Sequence, residues 1–241
     1  MRAFALSNIG NQRERNEDNY LLDPVRHLFV ICDGMGGHKG GDVASKLAVD
    51  TLQKKFEKIP QQYLTKKIIH YLMEAAWLAN YKILTQSRDN EELTAMGTTL
   101  TAVYIDEKNL MTVAHVGDSS LYLYRESKLF RITREHTLAE KMVDNGELSR
   151  EDLELNAYKH VLTRALGIDH QLKVDIIQKT LQPRDILLLC SDGLTDLVDD
   201  AAIYNFLITA NPIENTCEQL VNEALHRGGF DNITVLLVEI E

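Results

Sequence analysis

The chain has 241 residues, 44% apolar and 26% charged, which is enough to bury a substantial core and too apolar for a disordered polypeptide. A net charge of −10 argues against a broad basic footprint for nucleic acid or anionic lipid, and no stretch approaches the ~20 uninterrupted apolar residues of a membrane-spanning helix. The N-terminus lacks an apolar leader, and three cysteines without a close-spaced pair suit reduced thiols, so a cytoplasmic protein is expected, with Cys32 and Cys190 as small buried residues.

A first strand precedes Gly10–Asn19, a segment that combines Arg13 and Arg15 with Glu14, Glu17 and Asp18. Such a run is compatible with a solvated turn, and an arginine within it could also grip a phosphate with two hydrogen bonds. The apolar run Leu28–Cys32 predicts a strand, and it ends in Asp33-Gly34. The glycine-rich stretch to Gly41 lacks the spacing of a nucleotide-binding P-loop but opens a helix over Gly41–Phe56, whose N-terminus could favour an anion. Helical spacing follows in Leu64, Ile68, Leu72, Ala75, Ala76, Ala79 and Ile83.

Four short runs then occupy Leu100–Ile105, Leu110–Val116, Leu121–Tyr124 and Leu129–Ile132. Their connections are too short for helical crossovers, so the reading is an antiparallel meander rather than a doubly wound parallel sheet. Residues 137–160 are polar and charged, with two short helical patterns around Gly146, and predict a mobile flap. A strand over Ile186–Cys190, a helix around Cys217, Leu220, Val221, Ala224 and Leu225, and a last strand over Ile233–Val238 complete the pattern. There is no repeat and no linker, and helices beside antiparallel strands imply one α+β domain over residues 1–241.

The chemistry lies at the strand ends. Asp33 and Asp192 each follow an apolar strand and precede a glycine, Asp118 follows Val116-Gly117, and Asp231 stands just before the final strand. Any one Asp-Gly pair is explained by ordinary turn chemistry. Turn chemistry does not require several in one chain, whereas hard cations such as Mg²⁺ or Mn²⁺ need clustered carboxylates; zinc spacings are absent.

Together, Arg13 with Asn16-Glu17-Asp18, Asp33-Gly34-Met35-Gly36-Gly37-His38, Met96-Gly97-Thr98-Thr99, Val116-Gly117-Asp118-Ser119, Ser191-Asp192-Gly193-Leu194 and Asp231-Asn232-Ile233-Thr234 stand in the order of a known family. The chain resembles the metal-dependent protein phosphatases of the 2C type, in their compact bacterial form, over nearly its whole length. That resemblance implies a four-layer αββα sandwich of two antiparallel sheets flanked by helices. It also implies hydrolysis of phosphoserine and phosphothreonine on proteins, opposing a serine/threonine kinase, by a monomeric cytoplasmic enzyme that binds neither nucleic acid nor membrane.

By the same resemblance, Asp33 bridges two Mn²⁺ or Mg²⁺ ions, Asp192 and Asp231 complete one, and the Gly34 carbonyl serves the other. Glu17 and Asp18 hold metal-bound waters, Asp118 with Asp192 forms a third site, and Arg13 orients the phosphate while a bridging water attacks phosphorus. The chain departs from the family at Met35, which cannot donate a proton, and at Ser120, Glu135-His136 and Asn156–Arg164. His38 could be the general acid, or an ordinary loop hydrogen-bonder with a metal-bound water as the acid instead. A two-metal nuclease or nucleotidase, and a metal-free binding module, are the other classes to weigh.

Overall fold

A computed structural model describes residues 1–36, 40–153, 156–209 and 212–241. One five-stranded sheet runs β1 (Arg2–Asn8), β12 (Ile233–Glu239), β11 (Ile186–Cys190), β8 (Ser120–Arg125) and β9 (Lys128–Arg131). The other runs β10 (Asp175–Thr180), β7 (Leu110–Val116), β6 (Leu100–Ile105), β3 (Leu28–Cys32) and β2 (Asn19–Asp23). Every pairing in both is antiparallel.

The central strands are apolar at consecutive positions because both of their faces are covered. In β3, Phe29 and Ile31 join Val103, Val113, Leu121, Leu187, Leu189 and Leu236 between the sheets. The alternate residues Leu28, Val30 and Cys32 face outward against α1 (Gly40–Glu57) and α2 (Gln61–Asp89). In β11 and β12, Leu188, Cys190, Ile233, Val235 and Leu237 meet α5 (Asp200–Ile208) and α6 (Ile213–His226). The order of layers is therefore helix, sheet, sheet, helix, and all three cysteines are free and buried. Among the described residues, no helix is long and apolar enough to cross a membrane.

The expected meander needs one correction. β6 pairs with β7 and β8 with β9, but the two hairpins belong to different sheets. The chain changes sheet at Gly117-Asp118-Ser119, where Gly117 adopts φ +107° and a Cβ would stand 2.6 Å from Thr99 Cγ2. The sharp corner, and not pairing between β7 and β8, is what presents Asp118 at the rim.

Other elements lacked a clear pattern in the sequence. Edge strands β2 and β10 are only partly buried and carry mixed side chains, and α5 is short. A two-stranded ribbon joins β4 (Gly34–Met35) to β5 (Gly97–Thr98). Within residues 137–160, α3 (Leu138–Asp144) is capped by the Thr137 hydroxyl and followed by Gly146 at φ +73°. Glu154 and Leu155, in the second expected helical pattern, lie outside the described residues.

Gly117→Ala combines left-handed backbone strain with a clash against Thr99. It is expected to lower unfolding free energy by about 1–3 kcal/mol, read from urea titration of the metal-free protein. A change within a few tenths of that energy scale would show that the corner relaxes without cost.

Candidate metal centre

Asp33, Asp118, Asp192 and Asp231 all line one cleft of about 1010 Å³ at the joined ends of the two sheets, together with Arg13, Glu17 and Gly34. Backbone and hydroxyl contacts place Asp33 and the residues beside Asp192 and Asp231. Asp33 follows β3, and its N–H donates to the Thr99 hydroxyl at 2.8 Å while its carbonyl accepts from Thr98 Oγ1 and from the Thr99 N–H. The Thr98-Thr99 pair thus fixes the aspartate.

Asp192 opens α4 (Asp192–Thr195) directly after β11. Its neighbour Ser191 is bonded to Thr234 twice: the Ser191 N–H donates to the Thr234 carbonyl, and the Thr234 N–H donates to the Ser191 hydroxyl. Gly193 has no room for a side chain, since a Cβ would lie 2.0 Å from the Asn232 carbonyl oxygen. That close approach sets Asp192 beside Asp231.

Asn232 ties in the N-terminal segment, donating from Nδ2 to the Ile9 and Arg15 carbonyls and accepting from the Glu17 N–H at 2.7 Å. Arg13 consequently sits on the rim, half exposed, with its guanidinium 2.6 Å from Asp231 Oδ2. Asp231 keeps the guanidinium charged, holding its pKa above the ordinary value. Gly34 donates its N–H to the Glu17 carbonyl and has no space for a Cβ, which would meet the Gly41 carbonyl oxygen at 2.2 Å.

Asp18 is the most enclosed acid. Its Oδ2 accepts from the Ser191 and Thr234 hydroxyls, each at 2.7 Å, while buried Oδ1 has no hydrogen-bond partner among the described residues. Burial raises its pKa to about 6 against the pull of those two hydroxyls. Burial, then repulsion from Glu135, raises Asp118 to about 7. Asp33 and Asp192 are driven well above the ordinary range, first by burial and then by Asp18 and Asp118 respectively, with further acids of the cluster adding to each.

No basic side chain among the described residues forms an ion pair with Asp18, Asp33 or Asp118. The donor set is all oxygen, the acids repel one another, and a buried carboxylate oxygen lacks a partner. Those properties fit hard divalent cations. Glu17, whose pKa burial raises, directs its carboxylate to the Gly41 N–H at the start of α1. His38 lies outside the described residues, and Met35 lines the cleft.

Several residues of the cleft have partners that the sequence did not indicate. His136 accepts from the Gly117 N–H through Nδ1 at 3.0 Å, so its ring proton lies on Nε2 and is donated to Asp175, 3.1 Å away. Arg164 shares Asp175, and Thr163 donates its N–H and hydroxyl to the His136 carbonyl. Both ends of the 137–163 excursion are thereby fastened beside Asp118. His160 also approaches Asp192 and Asp196, contacts that connect residues far apart in the chain.

Folding that raises an acid's pKa favours the native state below the ordinary value and withdraws that support as pH climbs through the raised one. For Asp18 and Asp118 the loss spans from about pH 4 to about pH 6–7 in metal-free protein. Mn²⁺ at about 100 times its Kd is expected to raise Tm by about 5–10 °C near pH 7.5. The rise should shrink near pH 5, where protons compete for the same oxygens. Equal shifts at both pH values, measured by scanning calorimetry, would contradict carboxylate ligation.

The family model for protein phosphatase 2C matches residues 10–227. The serine/threonine phosphatase stp of Listeria welshimeri is 35% identical over 233 residues, covering 95% of this chain and 92% of that protein. Protein phosphatase PhpP of Streptococcus pneumoniae is 32% identical, covering 100% and 98%. Among solved structures, the serine/threonine phosphatase PstP/Ppp of Mycobacterium tuberculosis superposes with a TM-score of 0.91 at 32% identity, covering 100% and 98%. A catalytic domain of PstP in complex with two manganese ions gives 0.88, also at 32% identity with 100% and 98% covered. With its acid-lined cleft between two antiparallel sheets, the chain belongs to the protein phosphatase 2C family of metal-dependent phosphatases, in its bacterial form.

Proposed function

We propose that this protein hydrolyses phosphoserine and phosphothreonine on proteins, with two core Mn²⁺ or Mg²⁺ ions and a third, more weakly held one. The observation that supports this most directly is the convergence of Asp33, Asp118, Asp192 and Asp231 on one cleft, with Asp18 buried beside Asp33 and Asp192 and Arg13 on the rim. Asp33 would hold both core ions, Asp192 and Asp231 would help hold one of them and the Gly34 carbonyl the other. Asp118 with Asp192 would hold the third, and Glu17 and Asp18 would act through waters on the ions.

When bound, the cations supply positive charge to the phosphoryl oxygens and lower the pKa of water to near neutrality. The protein supplies positioning. Arg13 offers a guanidinium to the phosphate while one of its nitrogens is held by Asp231, so it arrives oriented rather than free. Ser191 and Thr234 fix Asp18, and Thr98 and Thr99 fix Asp33, so the acids need little rearrangement. Met35 cannot supply the leaving-group proton, and His38 is the protein-borne acid proposed for that step.

Residues 1–241 form one phosphatase domain, with about 137–160 as a flap over the cleft. The partner is a phosphoprotein, including targets of a serine/threonine kinase, and the enzyme acts as a cytoplasmic monomer.

Assays on phosphothreonine, phosphoserine and phosphotyrosine peptides and on a nucleotide, with EDTA, Mg²⁺ and Mn²⁺, test the reading together. Activity is expected on the first two substrates, dependent on metal. Asp33→Asn and Asp192→Ala should each lower kcat by at least about 1,000-fold, since several kcal/mol of charge stabilisation is lost. Arg13→Ala should lower kcat/KM by roughly 10–100-fold with the metals retained, the scale of a charged hydrogen bond. Metal-independent turnover, or a preference for the nucleotide, would overturn the assignment.

A further inference from the structure

We propose that the apolar ledge formed by Ile168, Leu172, Trp77 and Tyr81 is a docking surface for the substrate polypeptide, and that it takes leucine or aromatic side chains flanking the phosphorylated residue. The inference rests on the reading above that the cleft hydrolyses phosphoserine and phosphothreonine on proteins. It adds the kind of flanking sequence that the cleft selects.

The first observation is the unequal chemistry of the cleft lining. Arg134, Glu140, Lys141 and Asp144 line it with charge, whereas Met35, Ile168 and Leu172 line it with apolar side chains. A Cβ on Gly97 would lie 2.8 Å from Met35 Cε and 3.1 Å from Ile168 Cδ1, so those two side chains close over the same glycine and form one surface. At about 1010 Å³ the cleft matches the upper end of the ~300–1,000 Å³ that hold drug-sized ligands. That is more than one phosphorylated side chain fills, and the flanking polypeptide has room there.

The second is that the apolar surface continues out of the cleft. Trp77 donates its indole N–H to the Leu172 carbonyl at 3.3 Å, while Asn80 accepts from the Gly167 N–H at 2.7 Å and donates to the Asp169 carbonyl at 2.8 Å. Residues 167–172 are thereby seated along α2, and Trp77 and Tyr81, four residues apart, share the helix face beside them. Ile168, Trp77 and Tyr81 are 51%, 46% and 64% exposed. A single exposed apolar residue needs no explanation, but a row that starts inside a cleft marks a contact surface, and tryptophan and tyrosine carry the most energy at such surfaces.

The third is the attachment of the ledge to the metal centre. Leu166 exchanges two backbone hydrogen bonds with Thr98, whose hydroxyl also donates to the Asp33 carbonyl. Gly167, at φ +86°, then presses the segment onto α2, where a Cβ would lie 2.3 Å from Ile83 Cγ2. The ledge is therefore held at a fixed distance from Asp33. A polypeptide with its phosphate at the metal centre can leave the cleft over Ile168 and Leu172, and its apolar flank then covers Trp77 and Tyr81. A side chain seated there orients the phosphorylated residue, and a polar flank gains nothing from that surface.

The test compares small and extended substrates on the Mn²⁺-loaded full chain. Wild type, Trp77→Ala and Tyr81→Ser are assayed on a phosphothreonine tripeptide and on two longer phosphothreonine peptides, one with leucines on both flanks and one with alanines in their place. Wild type is expected to favour the leucine peptide about 10-fold in kcat/KM, mainly through KM. Both variants should lose at least about 5-fold on that peptide and keep their rate on the tripeptide. Trp77 is the single tryptophan of the chain, so its emission should shift to the blue when the dephosphorylated leucine peptide covers the indole. Equal kcat/KM for the leucine and alanine peptides in wild type, or unchanged leucine-peptide kinetics in both variants, overturns the docking surface. An equal loss on the tripeptide marks a structural role and overturns it as well. Dimerisation that disappears in Trp77→Ala with peptide kinetics unchanged assigns the face to a second copy of the chain, again overturning it. Absence of metal-dependent turnover on all three peptides overturns the phosphatase reading itself, a result distinct from loss of the leucine preference alone.

Discussion

Repulsion among carboxylates held too close together is the constraint around which this protein is organised. Asp18, Asp33, Asp118 and Asp192 all have raised pKa values, each through burial and then through other acids nearby. A fold that gained only stability from these positions would place apolar or neutral side chains there. Holding the acids together costs free energy without cations and returns it when cations bind.

The sandwich supplies the stiffness that this arrangement needs. Alternate residues of β3, β11 and β12 are locked between the sheets and under the helices, so strand ends cannot drift apart to relieve the repulsion. Asp33 emerges from one sheet and Asp192 from the other, with Asp231 just before the strand that neighbours β11. Short polar residues lock the ends: Thr99 holds Asp33, while Ser191 and Thr234 hold both Asp18 and one another.

The loop side of the cleft is built differently. The 137–163 excursion leaves and returns beside His136, whose ring joins Gly117 to Asp175 and whose carbonyl receives Thr163. Its base is therefore fixed to the corner that carries Asp118. Toward its far end the contacts are more exposed and ionic, such as Lys159 with Asp196. Such pairs contribute little by themselves.

Apolar runs ending in Asp-Gly made much of the site legible in the sequence. The runs at 28–32, 100–105, 110–116 and 186–190 coincide with β3, β6, β7 and β11, because strands buried on both faces have no alternative composition. Asp33, Asp118, Asp192 and Asp231 were visible as acids at strand ends for the same reason. Edge strands β2 and β10 were not, since partial burial permits mixed side chains, and the division of the two hairpins between sheets depends on packing across the core. Local order could not reveal that Arg13 lies on Asp231, that Asp18 rests on Ser191 and Thr234, or that His160 approaches Asp192 and Asp196. The sequence by itself determined which acids end which strands, because side-chain burial and turn chemistry act over a few residues. Only the tertiary structure decided which of them share a cleft and which cations oppose them, because electrostatic neighbours are chosen by distance in space rather than distance along the chain.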